Sequence, residues 1–168
     1  MCGPLRALPA QDLLKEFFNY DPETGVFTRA KDRRKWKAGS VVGTPSQDGY
    51  INIGFGYKIY RAHRIAWRYM TGDDPKTGID HINGNRSDNR FCNLRLATQS
   101  ENLCNQPKRK AIKSGMKGVY GGKNGKFYSK IMLRGKSTHL GTFDTKEEAQ
   151  AAYNAASKVI HGSFGRPS

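Results

Sequence analysis

Gly78-Ile79-Asp80-His81-Ile82-Asn83-Gly84-Asn85, followed after a polar stretch by Asn93-Leu94-Arg95-Leu96-Ala97-Thr98-Gln99-Ser100-Glu101-Asn102, is the most informative segment of the 168-residue chain. Asn83-Gly84 is a strong turn signal, and Leu94 and Leu96 alternate as in a short strand. Thr98 and Glu101 stand in capping-box spacing, so a helix is expected to begin at Thr98 with Asn102 in its first turn. The local plan is strand, loop, strand, helix.

On the N-terminal side, Ala62, Ile65, Ala66, Tyr69 and Met70 fall on one helical face, and Gly72 supplies the stop. His63 and Trp67 ride on this helix and read as core or rim residues. Before it, Tyr50 to Tyr60 alternates as a hairpin turning at Gly54-Phe55-Gly56. Leu13, Leu14, Phe17 and Phe18 recur at helical spacing, and Asp21-Pro22 with Gly25 turns the chain into a strand through Val26 and Phe27.

With these residues in view, Asp80-His81, Asn93 and Asn102 resemble the signature of the HNH nucleases, a ββα-metal fold, in the variant whose last position is Asn. Ala62-His63-Arg64-Ile65-Ala66-Trp67 and Tyr20-Asp21-Pro22-Glu23-Thr24-Gly25 are similar to the lead-in of phage and intron-encoded HNH homing endonucleases, so the likeness spans roughly residues 12 to 105. The resemblance implies DNA cleavage that leaves a 3′-hydroxyl and a 5′-phosphate. For Asn93 it implies a structural role, in which the side chain ties the loop and holds the general base in its tautomer and orientation, away from the metal.

Hydrolysis of a phosphodiester needs an activated water, a cation against the charge growing on the phosphoryl oxygens, and relief for the leaving oxygen. His81 is the candidate general base, because an ordinary imidazole is largely a proton acceptor at neutral pH. Asp80 and Asn102 offer a carboxylate and an amide oxygen, hard ligands that suit one divalent cation, Mg²⁺ or Mn²⁺. Zinc is not expected, since neither sulfur nor a second imidazole is nearby in sequence. Adjacent strand residues point to opposite faces, so Asp80 and His81 can serve one phosphate only at a strand end or distortion. The bland alternative makes Asp80, Asn93 and Asn102 turn and cap residues, and it leaves the histidine among them unexplained.

Arg86, Arg90 and Arg95 flank this segment and are candidates to hold neighbouring phosphates, or else solvated charges. Arg33, Arg34, Lys35 and Lys37, interleaved with Trp36, read equally as a DNA-contacting loop or a solvated one.

A second module follows a basic stretch. In residues 117–168, Phe127, Ser129, Ile131 and Leu133 share one strand face and Tyr128, Lys130, Met132 and Arg134 the other. A third strand is expected over Ser137 to Phe143, and Thr145 with Glu148 opens a helix carrying Ala149, Ala152, Tyr153, Ala156, Val159 and Ile160 as its apolar stripe. Lys117-Gly118-Val119-Tyr120, Leu140-Gly141-Thr142-Phe143-Asp144-Thr145 and His161-Gly162 resemble the ethylene-response-factor-type DNA-binding domain, which is also found appended to phage HNH endonucleases. The resemblance implies a sheet lying in the major groove, here through Lys123, Lys126, Tyr128, Lys130, Arg134, Lys136 and Thr138. Tyr120 and Phe127 stand where that family commonly has Arg and Trp.

The expected architecture is α+β. An HNH nuclease domain with its lead-in occupies residues 1–105, a basic linker 106–116, and a three-stranded antiparallel sheet with one packed helix 117–168. Composition agrees: Lys+Arg number 29 against 14 Asp+Glu, a formal charge of +15, which favours a polyanionic partner through counterion release. Residues 104–168 hold 13 of the cations and only 3 of the acids. Cys2, Cys92 and Cys104 form no close pair and read as reduced thiols. No apolar run is long enough for a bilayer, so a cytoplasmic protein of a bacterium or phage-infected host is expected, without membrane contact. The expected function is a metal-dependent endonuclease of double-stranded DNA, monomeric, with no obligate protein partner, nicking one strand at a specific site. The alternatives are a sequence-specific DNA-binding regulator with a relic nuclease fold, and an RNA-binding basic protein, which would lack the usual stacking motifs.

Overall fold

The structure is a computed structural model that describes residues 7–105, 115–133 and 136–162. Most of the expected linker, residues 106–114, and Arg134 lie outside the described residues. The chain divides into two compact units, Met1–Thr98 and Gln99–Ser168.

In the first unit, α1 (Gln11–Phe17) buries Leu14 and ends one residue earlier than its apolar spacing predicts. Phe18 instead opens β1 (Phe18–Tyr20), where Phe18 and Tyr20 turn inward and Asn19 outward. That period of two buries both rings while β1 pairs antiparallel with β2 (Phe27–Arg29), which pairs in turn with β3 (Val41–Val42). The connecting turn is closed by Asp21, whose carboxylate accepts from the Glu23 amide at 2.9 Å and the Thr24 hydroxyl at 2.8 Å.

A second sheet has the order β4 (Thr44–Pro45), β5 (Ile51–Phe55) and β6 (Lys58–Arg61). The two-residue strands β3 and β4 have no counterpart in the sequence reading, being too short to show a period. Helix α2 (Ala62–Thr71) follows directly, buries Ala62, His63, Ile65 and Ala66, and is stopped by Gly72 in the left-handed conformation. Leu14, Phe18, Phe27, Ile53 and Ile65 form the centre of the core. Against it lies an antiparallel ribbon, β7 (Gly78–His81) and β8 (Leu94–Ala97), whose Ile79 and Leu94 join the cluster. A single 3₁₀ turn, Phe91–Asn93, delivers the chain into β8.

The second unit opens with α3 (Gln99–Asn105), immediately after Thr98. Its sheet has the order β11-β10-β9, built from β9 (Val119–Gly121), β10 (Phe127–Leu133) and β11 (Lys136–Phe143), all antiparallel. Helix α4 (Lys146–His161) backs it, and both arms of the Thr145–Glu148 capping box are formed. Ser129 and Ile131 are buried while Lys130 and Met132 face solvent, as alternation requires. Gly118 is compelled by packing, because a Cβ there would lie 2.1 Å from the Tyr153 ring. The α+β architecture expected from the sequence is present. No helix among the described residues is long and apolar enough to cross a membrane.

Candidate active site

His81 is the last residue of β7, so the strand end demanded by the Asp80-His81 dipeptide exists. Both side chains are buried, Asp80 to 5% and His81 to 4% exposure. The register of the ribbon places Arg95 of β8 directly opposite Asp80. Its guanidinium donates from Nε at 2.9 Å and Nη2 at 2.7 Å to Asp80 Oδ2. Removing one partner of a buried ion pair costs about 3–5 kcal/mol, so Arg95 is the charge partner that makes burial of the Asp80 carboxylate tolerable. Arg95, expected from the sequence either to hold a neighbouring phosphate or to be a solvated charge, is paired with Asp80 and has a side chain only 14% exposed.

Asn93 bridges the loop between the strands. Its Oδ1 accepts from the Asn83 amide at 3.0 Å, and its Nδ2 donates to Asn83 Oδ1 at 3.1 Å and to the Asp88 carbonyl at 2.9 Å. Asn89 contacts the imidazole: His81 Nε2 lies 3.4 Å from its Oδ1. The sequence reading passed over Asn89 as one more polar loop residue. His63, expected as a core or rim residue, is buried, and its ring meets that of His81 edge to face at 5.0 Å, with Tyr50 5.2 Å and 5.9 Å from the two rings.

Burial dominates the electrostatics here. It pushes His63 down to about 3, helped by the neighbouring His81, Arg64 and Arg61. Burial also lowers His81, against the opposing pull of its Asn89 contact and of Asp80. Both imidazoles are consequently neutral at neutral pH, and a neutral ring carries the lone pair that proton abstraction needs.

Asp80 offers a carboxylate, the hard oxygen donor that a divalent cation of the Mg²⁺ or Mn²⁺ type takes, and its Oδ2 accepts from Arg95. Among the described residues no group of three or more His, Cys, Asp or Glu side chains is disposed to hold a metal. Asn102 lies on α3 of the second unit, whereas Asp80, His81, Asn89 and Asn93 all belong to the first.

The remaining arginines differ. Arg90 is held by both oxygens of Asp88, at 2.8 Å and 2.6 Å, yet keeps 46% of its side chain exposed. Arg86 stacks over Tyr50 at 4.9 Å and donates to the Asp48 carbonyl.

Two tight turns in the first unit carry cations and aromatics. Arg33 and Trp36 exchange backbone hydrogen bonds of 2.8 Å and 2.9 Å around Arg34-Lys35, with Arg34 at φ 51°. The β5–β6 hairpin turns at Gly56-Tyr57, with Tyr57 at φ 60° and fully exposed. A cleft of about 730 Å³ is lined by residues of both turns, with Arg29, Arg33, Arg34 and Lys58 among its walls and no carboxylate among the described residues that line it. In the second unit the outer sheet face carries Tyr120 stacked on Tyr128 at 5.4 Å, with Lys130 over the Tyr128 ring at 5.1 Å. Lys123, Lys126, Lys136 and Thr138 are exposed around it, Lys126 being paired with Asp144 at 2.9 Å.

A family model described as HNH endonuclease matches residues 60–104, from the end of β6 through most of α3. The chain is 33% identical over 112 residues to protein 3.8 of Escherichia phage T7, covering 66% of this chain and 92% of that protein. It is 30% identical over 89 residues to an uncharacterized HNH endonuclease, L560, of Acanthamoeba polyphaga mimivirus, covering 53% of this chain and 46% of that protein. A solved structure of the HNH homing endonuclease I-HmuI, described by its DNA binding and cleavage, aligns with 86% of this chain and 85% of its own at 22% identity and a TM-score of 0.42. The chain belongs to the family of the phage T7 protein 3.8 and is an HNH endonuclease by the domain it carries at residues 60–104.

Proposed function

We propose that this enzyme hydrolyses a phosphodiester of double-stranded DNA with the help of one divalent cation, nicking one strand at a specific site as a homing endonuclease does. The observation that carries this reading is the buried Asp80-His81 pair at the end of β7, inside the segment that matches the HNH endonucleases. His81 takes the proton of the attacking water. Asp80 would hold the cation, Mg²⁺ or Mn²⁺, with Asn102 as the second ligand that the likeness to the HNH signature implies, and the bound cation would supply charge stabilisation to the phosphoryl and leaving oxygens. Asn93 keeps the loop closed behind them. With one such centre per chain, a monomer cuts a single strand. Supercoiled plasmid incubated with the protein and Mg²⁺ is expected to become open circles, and a chelator to stop the reaction. No cutting with any divalent cation would overturn the reading.

That negative result, with tight DNA binding retained, would favour a DNA-binding regulator on a relic nuclease fold. The engagement of Asp80 Oδ2 by Arg95 is the one observation on that side.

DNA binding is assigned to cationic, aromatic surfaces in both units. The three-stranded sheet of the second unit is read as an ethylene-response-factor-like module laying Tyr128, Lys130 and their neighbours on the duplex, joined by Arg86 and Arg90 near the active site. The cleft with Arg33 and Arg34 is read as a further phosphate contact, since the described residues that line it include four cations and no carboxylate. Replacing Arg33 and Arg34 together with Ala is expected to weaken binding of any duplex sequence by a similar factor. The slope of log affinity against log salt should become shallower by about 1–2. An unchanged slope in a fluorescence-anisotropy titration would remove the cleft from the interface.

A further inference from the structure

We infer that Asn89 is a positioning residue that sets the tautomer of His81, placing the proton on Nε2 and leaving Nδ1 as the nitrogen that accepts a proton. The inference rests on the reading of His81 as general base and adds which nitrogen does the work and what determines it.

The geometry runs through three links. Asn89 is 3% exposed, and its Nδ2 donates to the Ser87 carbonyl at 3.1 Å. That bond orients the amide, so the end turned toward the imidazole is Oδ1, at 3.4 Å from His81 Nε2. An amide oxygen only accepts, so a neutral imidazole meeting it must carry its hydrogen on Nε2, and the basic lone pair is then on Nδ1.

The backbone of Asn89 is itself clamped from the far side of the unit. Its carbonyl accepts from the buried Tyr20 hydroxyl at 2.7 Å, and the next-but-one amide, of Phe91, donates to the Pro22 carbonyl at 3.0 Å. Gly25 presses against the same peptide so closely that a Cβ would fall 2.4 Å from Arg90 N and 2.5 Å from the Asn89 carbonyl carbon. The β1–β2 turn thus acts as a stop against which the Asn89 amide is braced. His63 packs edge to face on His81 at 5.0 Å and limits rotation of the ring from another side. The bonds of Asn93 to Asn83 and Asp88 keep the loop compact around this point.

The test uses the full chain with ¹⁵N-labelled histidine. Nitrogen spectra at neutral pH distinguish the protonated from the bare ring nitrogen, and subtraction of a His81→Gln spectrum assigns the signals. His81 is expected as the Nε2–H tautomer. Asn89→Leu, nearly the same size but without an acceptor, should give a mixture of tautomers and a kcat lower on the order of 10-fold to 100-fold, with KM unchanged. Asn89→Asp keeps an acceptor oxygen in place and should preserve the tautomer even if Asn89→Leu proves poorly folded. An Nδ1–H tautomer in the wild type, or an unaltered tautomer with unaltered kcat in Asn89→Leu, would overturn the inference. The spectra decide the tautomer whether or not DNA is cut, so a failure of the endonuclease reading would show in the cleavage assay alone.

Discussion

A His81→Ala protein is expected to nick plasmid DNA about 10²- to 10⁴-fold more slowly than the wild type, with its affinity for the same DNA unchanged. The range is that of a positioned general base. The split between rate and affinity follows from placement: His81 is buried at the end of β7 and adds no charge to a DNA-facing surface at neutral pH. Because removing a buried ring leaves a cavity, His81→Gln is the companion variant. It fills most of the space and retains hydrogen bonding but has no basic nitrogen, so it should be equally slow. The pH profile supplies an independent reading. Burial lowers the His81 pKa, so the acid limb of the rate profile should lie below the ordinary imidazole value near 6.5, with the rate rising as pH passes through the folded-state pKa. A His81→Ala protein that cuts within tenfold of the wild-type rate would remove His81 from the chemistry.

The parts of this site that were legible beforehand are those governed by local grammar. The Asn83-Gly84 turn, the alternation of Leu94 and Leu96 and the cap spacing at Thr98 predict the ribbon and the helix that follows, and the residue types on them name the chemistry. In the second unit, alternation in β10 and the Thr145–Glu148 box were readable for the same reason. What was hidden depends on register or on distant chain. Arg95 becomes the partner of Asp80 only once the ribbon is paired residue for residue, and the loop before the Phe91–Asn93 turn conceals that register. His63 reaches His81 because β6 runs directly into α2, and Tyr20 reaches Asn89 across 69 positions; neither approach has a signature in spacing. The slip between Ser129 and Lys130 escaped alternation too. There Leu140 of β11 is skipped, and the next residue, Gly141, takes φ 145°, a conformation that only glycine adopts easily.

The second large effect concerns stability in acid. Lowering the pH from 7 toward 4 is expected to destabilise the first unit steeply, chiefly through His63. Its folded-state pKa is pushed down to about 3, while an unfolded chain has the ordinary value of 6.5. A histidine depressed in this way stabilises the fold fully above pH 6.5. That contribution fades as pH falls, because the unfolded state binds the proton first. Between pH 6.5 and 4 the loss amounts to roughly 3 kcal/mol, a large share of the entire stability of many small domains. The surroundings offer no compensation: His63 Nδ1 is buried without a hydrogen-bond partner among the described residues, and the charges acting on it, His81, Arg64 and Arg61, all oppose a further cation. His81, also depressed by burial, acts in the same direction. The carboxylates Asp48 and Asp88 are lowered by hydrogen bonds from Ser46 and Arg90, so their losses fall below pH 4 and leave the window between 6.5 and 4 to the two imidazoles. Urea unfolding followed across this window should therefore show stability falling by about 1.4 kcal/mol per pH unit for each proton taken up. His63→Gln should flatten that slope by about one proton even if its stability at pH 7 is lower. A variant with the wild-type slope would mean that His63 already exchanges protons freely in the folded state, and the buried edge-to-face pair would no longer describe the centre of the site.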